Sequence, residues 1–188
     1  MRIISGYLKG KKLLEPKDKT TRPLKDLTKE SIFNVIKHSN KIDFSLKNSN
    51  ILDCFSGVGS FGLEALSRAA GFVTFIENYL GVIEILKKNI ENLRLTEKCK
   101  IKKISIHEYL ETEIPKRKYD LIFLDPPFKD TKINELLLKI FEKNILKYKG
   151  IIIIHRDSKK NHIFPEIISI KEKKTYGISQ IFFCGLNQ

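Results

Sequence analysis

Two short stretches of the chain hold residues that could do chemistry together. The first, DCFSGVGSFG over residues 53–62, follows an apolar run and enters a helical pattern, so Gly57, Gly59 and Gly62 can support a tight turn and close approach of a ligand. Asp53 at its head is placed to hydrogen-bond loop amides or to orient the amino-acid part of a methyl donor. Glu77 ends the next apolar run, where a carboxylate can accept both hydroxyl hydrogens of a ribose. That arrangement suits NAD and S-adenosylmethionine equally, and spacing alone does not choose between them.

The second stretch, Asp125-Pro126-Pro127-Phe128, comes where a further apolar run leaves what reads as a parallel sheet, the end at which open sheets hold their ligands. Two prolines stiffen the loop, Asp125 offers a carboxylate, Pro126 a carbonyl acceptor and Phe128 an aromatic face. Together these suit a planar amine, such as the exocyclic amino group of a nucleic-acid base. The lone pair of such a nitrogen is delocalised into the ring, so acceptors must orient its hydrogens and expose nitrogen density to an electrophilic methyl. Asp125 is expected to orient the amine and to accept a proton as positive charge develops, with Phe128 stacked on the base.

Strands and helices must place these groups. From residue 50 short apolar runs alternate with longer amphipathic ones, the pattern of a parallel sheet covered on both faces. Strands are expected over residues 51–55, 73–77, 101–106, 119–124 and 151–154. Helices are expected over residues 59–69, along the stripe Leu80, Ile83, Leu86, Ile90 and Leu93, and along Ile133, Leu136, Leu137 and Ile140. Upstream, Asp26 or Thr28 could cap a helix whose apolar face is Ile32, Phe33, Val35 and Ile36, and residues 2–14 read as a short hairpin around two glycines. Residues 167–170 and 180–184 read as an antiparallel pair at the sheet edge, separated by a lysine-rich segment; this ending argues against a symmetrical dinucleotide fold.

At 188 residues with 41% hydrophobic residues, the chain suits one main core. Its division is expected as a basic N-terminal extension or hairpin over residues 1–26 and a main domain over residues 27–188. The formal charge is +13, which favours a polyanionic partner. Basic residues outnumber acidic ones by nine to four across residues 1–30, which makes that segment, with Lys9, Lys11, Lys12, Arg22 and Lys25, a candidate phosphate-facing appendage. The run Lys98, Lys100, Lys102 and Lys103 is equally well explained as ordinary surface charge. Cys54, Cys99 and Cys184 are widely spaced and unpaired in pattern, and His107, His155 and His162 lack metal-ligand spacing, so neither disulfide nor metal is expected. His155 ends the fifth expected strand, where it either lines the pocket or is a structural histidine. Tyr176 either buttresses the active side or packs on the sheet. No apolar run is long enough for a membrane span and no signal peptide pattern opens the chain, so a cytoplasmic protein away from membranes is expected, with no obligate protein partner.

Over nearly its full length the chain resembles the RsmD family of bacterial small-subunit ribosomal RNA guanine-N2 methyltransferases. The resemblance is carried by RIISGYLKGKKL at the start, TRPLKDLTKESIFN at residues 21–34, DCFSGVGSFGLEALSR at 53–68, LDPPF at 124–128 and KTYGISQIFF at 174–183. It implies a Rossmann-like S-adenosylmethionine-dependent methyltransferase, with a seven-stranded, mostly parallel sheet and an antiparallel final strand, so that residues 27–188 form a methyltransferase domain. It implies 16S rRNA in a small ribosomal subunit or assembly intermediate as partner. Carried residue by residue, it implies donor contacts from Asp53, Phe55, Gly57, Gly59, Glu77 and Ile106, base contacts from Asp125, Pro126 and Phe128, and RNA-side roles for Arg22 and Tyr176. The chain departs from the family at Leu24, where threonine is usual, at Lys29, where arginine is common, and at Ser105, where Asp or Asn is frequent. Other readings compete: methylation of adenine, DNA or protein glutamine, a dinucleotide oxidoreductase, and a noncatalytic RNA-binding module whose basic charge explains affinity without chemistry.

Overall fold

The computed structural model of the chain describes residues 1–16, 24–113, 115 and 118–187. The short runs become the strands β1 (Asn50–Cys54), β2 (Phe72–Ile76), β3 (Cys99–Lys102), β4 (Tyr119–Leu124) and β5 (Leu146–Asp157), apolar and largely buried on both faces except at the edge strand β3 and at Lys147, Tyr148 and Lys149 of β5. They pair in parallel, and β6 (Ile168–Tyr176) and β7 (Ser179–Leu186) complete a seven-stranded sheet of order β3-β2-β1-β4-β5-β7-β6. β7 inserts antiparallel between β5 and β6, which leaves β6 at the edge. The lysine-rich segment expected to separate the last two strands is itself part of β6, where exposed Lys171 and Lys173 suit an edge that must not pair with another chain. The order of the chain reverses between β1 and β4, so a crevice opens between their C-terminal ends.

Strand alternation divides the apolar side chains between two cores. Ile51, Val73, Phe75, Leu121, Phe123, Ile151 and Ile153 face one core, packed against α1 (Asp26–His38), α2 (Ser60–Ser67) and α3 (Leu80–Asn92). Leu52, Ile76, Ile122, Leu124, Ile152 and Ile154 face the other, under α4 (Ile106–Thr112) and α5 (Ile133–Glu142). The same alternation sends Asp53, Glu77, Asp125 and His155, each within two residues of a strand end, to the first face. Residues 1–16 contribute side chains to that core. Arg2 and Lys12 form an antiparallel bridge, the Ile3 amide donates to the Lys11 carbonyl at 2.9 Å, and Ile3 and Leu13 are buried beside Leu24 and Phe33.

Several boundaries differ from the periodicity. α1 begins at Asp26 with Lys25 at its N-cap and no capping side chain; neither Asp26 nor Thr28 caps it, because Asp26 already lies within the first turn and Thr28 is buried. β3 stops at Lys102, four residues short of the expected end, because Ser105 turns the chain and caps α4, its Oγ accepting from the Glu108 amide at 3.1 Å. Leu80 is 73% exposed, since it opens α3 one turn before the buried stripe of Ile83, Leu86, Ile90 and Leu93. Among the described residues no helix is long and apolar enough to cross a membrane.

Candidate active site

β1 delivers Asp53 into the interior and the chain then turns tightly. Phe55 and Gly57 adopt positive φ of 58° and 54°, and Gly59, at φ 85°, forms the N-cap of α2 in the left-handed conformation. Its positive φ favours glycine, and a Cβ there would come within 2.5 Å of Leu86 Cδ1, whose side chain would have to shift. Asp53 is 1% exposed, and its Oδ2 accepts from the Gly62 amide at 2.9 Å, bracing the loop against the first turn of α2. Burial pushes its carboxyl well above the usual carboxylate range; the Gly62 amide opposes that shift, and the nearby Asp125 and Glu77 charges add to it.

Glu77 follows β2 and gathers the neighbouring backbone. Its Oε2 accepts from the Gly57 amide at 2.7 Å, and Oε1 accepts from the amides of Asn78 and Tyr79 at 2.9 and 2.8 Å. The carboxylate therefore ties the glycine loop to the turn that starts α3. With three amides on two oxygens, one lone-pair direction of about four remains for a ligand.

Asp125 follows β4 on the neighbouring strand, two residues beyond Phe123, the register partner of Asp53. The Oδ1 atom of Asp125 lies 2.8 Å from Nδ1 of His155, two residues before the end of β5, and the rings of Phe128 and His155 meet edge to face at 5.4 Å. The loop is pinned further along: Asp130 donates its amide to the Pro127 carbonyl at 2.8 Å, Arg156 Nη2 donates to the Asp130 carbonyl at 2.7 Å, and Lys160 Nζ donates to the Phe128 carbonyl at 3.1 Å. Phe128 thus sits on a hydrogen-bonded loop backbone.

Asp53, Phe55, Gly57, Glu77, Asp125, Pro126 and Phe128 all line one cavity of about 430 Å³ at the β1–β4 crevice, a size suited to a small ligand. Gly59 shapes the loop without lining it. Ile106 opens α4 and is buried in the second core, away from the cavity wall. Lys9, Lys11, Lys12 and Lys25 are exposed and outside the cavity, and Tyr176 is half-buried at the end of β6, packed against the first core. Arg22, with Lys17 and Lys19, lies outside the described residues. Lys29, counted in the basic excess of residues 1–30, is not a surface charge. It is fully buried, its Nζ donating to the Arg2 carbonyl at 2.7 Å and the Ser60 hydroxyl at 3.2 Å, with Asp26 and Glu64 carboxylates at 3.6 and 3.9 Å. The periodicity also missed Met1, Pro16 and Leu24, which wall the cavity from the N-terminal segment, and Asn78 and Tyr79 beside Glu77. Only the last two carried a signal, being next to a residue already singled out.

Residues 1–185 match the model of the family described as Conserved hypothetical protein 95. A ribosomal RNA small subunit methyltransferase D of Buchnera aphidicola subsp. Baizongia pistaciae is 34% identical over 190 residues, covering 100% of this chain and 93% of the relative. That of Haemophilus influenzae is 34% identical over 179 residues, covering 95% of this chain and 90% of the relative. The solved structure of yhhF from Escherichia coli superposes with a TM-score of 0.83 at 26% identity, covering 98% of this chain and 96% of that one. The seven-stranded sheet, with its one antiparallel strand next to the edge, is the Rossmann-like methyltransferase fold. By sequence along its length and by fold, the chain belongs to the family of ribosomal RNA small subunit methyltransferase D.

Proposed function

We propose that the chain transfers a methyl group from S-adenosylmethionine to the exocyclic N2 of a guanine in 16S rRNA, acting in the cytoplasm on an assembling small ribosomal subunit. The cavity carries this reading. In a chain of formal charge +13, its wall holds Asp53, Glu77 and Asp125, and among the described residues no lysine or arginine lines it. An acidic cavity within a basic molecule suits a small cationic ligand held beside a polyanionic partner. S-adenosylmethionine, when bound, supplies a methyl group on a positively charged sulfur, and its ribose and ammonium group match carboxylate acceptors.

In this reading Glu77 accepts from one ribose hydroxyl through its remaining acceptor direction, while Asp53 keeps the glycine loop and the first turn of α2 in place for the amino-acid part. Asp125 and the Pro126 carbonyl accept the two N–H bonds of the guanine amine, and Phe128 stacks on the base. As the methyl carbon passes from sulfur to nitrogen, one S–C bond breaks and one N–C bond forms, and nitrogen releases a proton. Asp125 accepts it; its side chain is 20% exposed, so the proton can pass on to water. Residues 1–26, with Lys9, Lys11, Lys12, Arg22 and Lys25, form the RNA-facing appendage to a methyltransferase domain over residues 27–188, and Tyr176 supports the same side. The names of the relatives support rRNA as acceptor, and the Asp-Pro-Pro-Phe loop supports a planar amine as the methylated group.

Incubation with purified small-subunit particles and isotope-labelled S-adenosylmethionine, followed by digestion of the 16S rRNA to nucleosides, is expected to place the label in N2-methylguanosine. Label in a methylated adenosine or in ribosomal protein, or no label at all, overturns the proposal.

A further inference from the structure

The β4–β5 register ends at Leu124 and Ile154, so the next residues, Asp125 and His155, stand side by side on the same face of the sheet. His155 touches both halves of the amine clamp, the carboxylate of Asp125 at 2.8 Å and the edge of the Phe128 ring. It is 2% exposed, and its Nε2 is buried with no hydrogen-bond partner. A histidine held in this way has one arrangement that leaves no donor stranded. With the proton on Nδ1, the ring donates to Asp125 and only an acceptor lone pair is left without a partner. With a proton on Nε2, an N–H would be buried without an acceptor, the costlier omission. The alternative of a purely packing histidine accounts for the burial but not for the directed bond to the one carboxylate in the motif.

We propose that His155 is a positioning residue for methyl transfer: as the Nδ1–H tautomer it holds Oδ1 of Asp125 and the edge of Phe128, leaving Oδ2 to accept from the target amine. The inference rests on the role proposed for Asp125 above, and it adds the group that sets the direction of that carboxylate. Reactions that depend on alignment lose about 100-fold in rate from displacements near 1 Å, so a carboxylate free to rotate would harm the chemical step more than donor binding.

The test compares the wild type with His155→Leu and His155→Asn, the latter placing an amide N–H close to the position of Nδ1. Single-turnover transfer to small-subunit particles, at saturating donor and particle, is expected to fall by roughly 10–100-fold in His155→Leu, with donor affinity changed by less than about twofold. His155→Asn is expected to recover most of the lost rate. A folded His155→Leu protein with the wild-type rate overturns the proposal, as does His155→Asn no faster than His155→Leu. Nitrogen NMR of the wild-type imidazole is expected to show a protonated Nδ1 and a bare Nε2, with Nδ1 changed by Asp125→Asn; a protonated Nε2 and bare Nδ1 overturns the proposal whether or not methyl transfer is seen. If that spectrum is found and methyl transfer to another nucleoside shows the same ordering of the His155 variants, the guanine-N2 assignment fails and the positioning role stands; that spectrum with no methyl transfer at all overturns both.

Discussion

At the scale of single residues, the site keeps one carboxylate where folding disfavours its charge. Asp53 is buried with its titration pushed upward by desolvation, then eased by the Gly62 amide and pushed again by Asp125 and Glu77. A carboxyl held above its ordinary value of 3.8 contributes stability that is present below about that pH and lost as pH rises through its folded-state value. Asp53→Asn removes the titration while its carbonyl can still accept from Gly62. The variant is therefore expected to match the wild type near pH 4 and to exceed it at pH 8 by on the order of 1 kcal/mol, or about 2–4 °C in midpoint, while binding donor less well. Thermal unfolding across pH decides this, and a difference that does not grow with pH would count against it. Glu77 is placed differently: its carboxylate is met by three amides, so its loss would loosen the loop as well as remove the acceptor proposed for the ribose.

At the scale of elements, the N-terminal turn is stapled to α2 by charge. Glu64, fully buried in α2, accepts from the amides of Ile4 and Ser5 at 2.7 and 3.0 Å and from Arg68 Nε at 2.7 Å. Lys29 of α1 reaches the same cluster and bonds Ser60, the first residue of α2 and part of the cavity wall. Burial lowers the Lys29 ammonium from its ordinary value, and the Glu64 and Asp26 carboxylates act against that shift. Removing one member of such a group leaves its partner charged in the interior. Lys29→Met is accordingly expected to destabilise the fold by about 3 kcal/mol in urea unfolding, and a loss under about 1 kcal/mol would show that the buried charge has little structural weight. Lysine serves here because Nζ, as a compact donor, meets one carbonyl and one hydroxyl rather than a bidentate partner.

At the scale of the molecule, charge is sorted: carboxylates wall the cavity while Lys9, Lys11, Lys12 and Lys25 are exposed on the N-terminal segment that borders it through Met1 and Pro16. Binding to small-subunit particles should weaken with salt, with a slope set by the number of phosphates engaged. Replacing Lys9, Lys11 and Lys12 together with alanine is expected to make the slope of log K against log salt shallower by about 2, with donor affinity unchanged. An unchanged slope would remove these lysines from the RNA interface.

Much of the fold was legible because strand and helix periods are local properties. Asp53, Glu77 and Asp125 could be located from their places at the ends of apolar runs, and parallel pairing then had to bring those ends together. The glycine loop was legible too, since a turn between strand and helix leaves few residue types able to adopt positive φ. What only the tertiary structure decided concerns partners distant in the chain. A lysine reads as surface charge until Arg2, Ser60, Asp26 and Glu64 are found around it, as they are around Lys29. Ile106 reads as the end of a strand until Ser105 is seen to cap a helix and turn Ile106 into the second core. His155 was one strand-end histidine with two readings until the β4–β5 register set it against Asp125. Periodicity determines which face of an element a residue occupies, whereas the groups it meets there depend on register and packing between segments far apart in sequence.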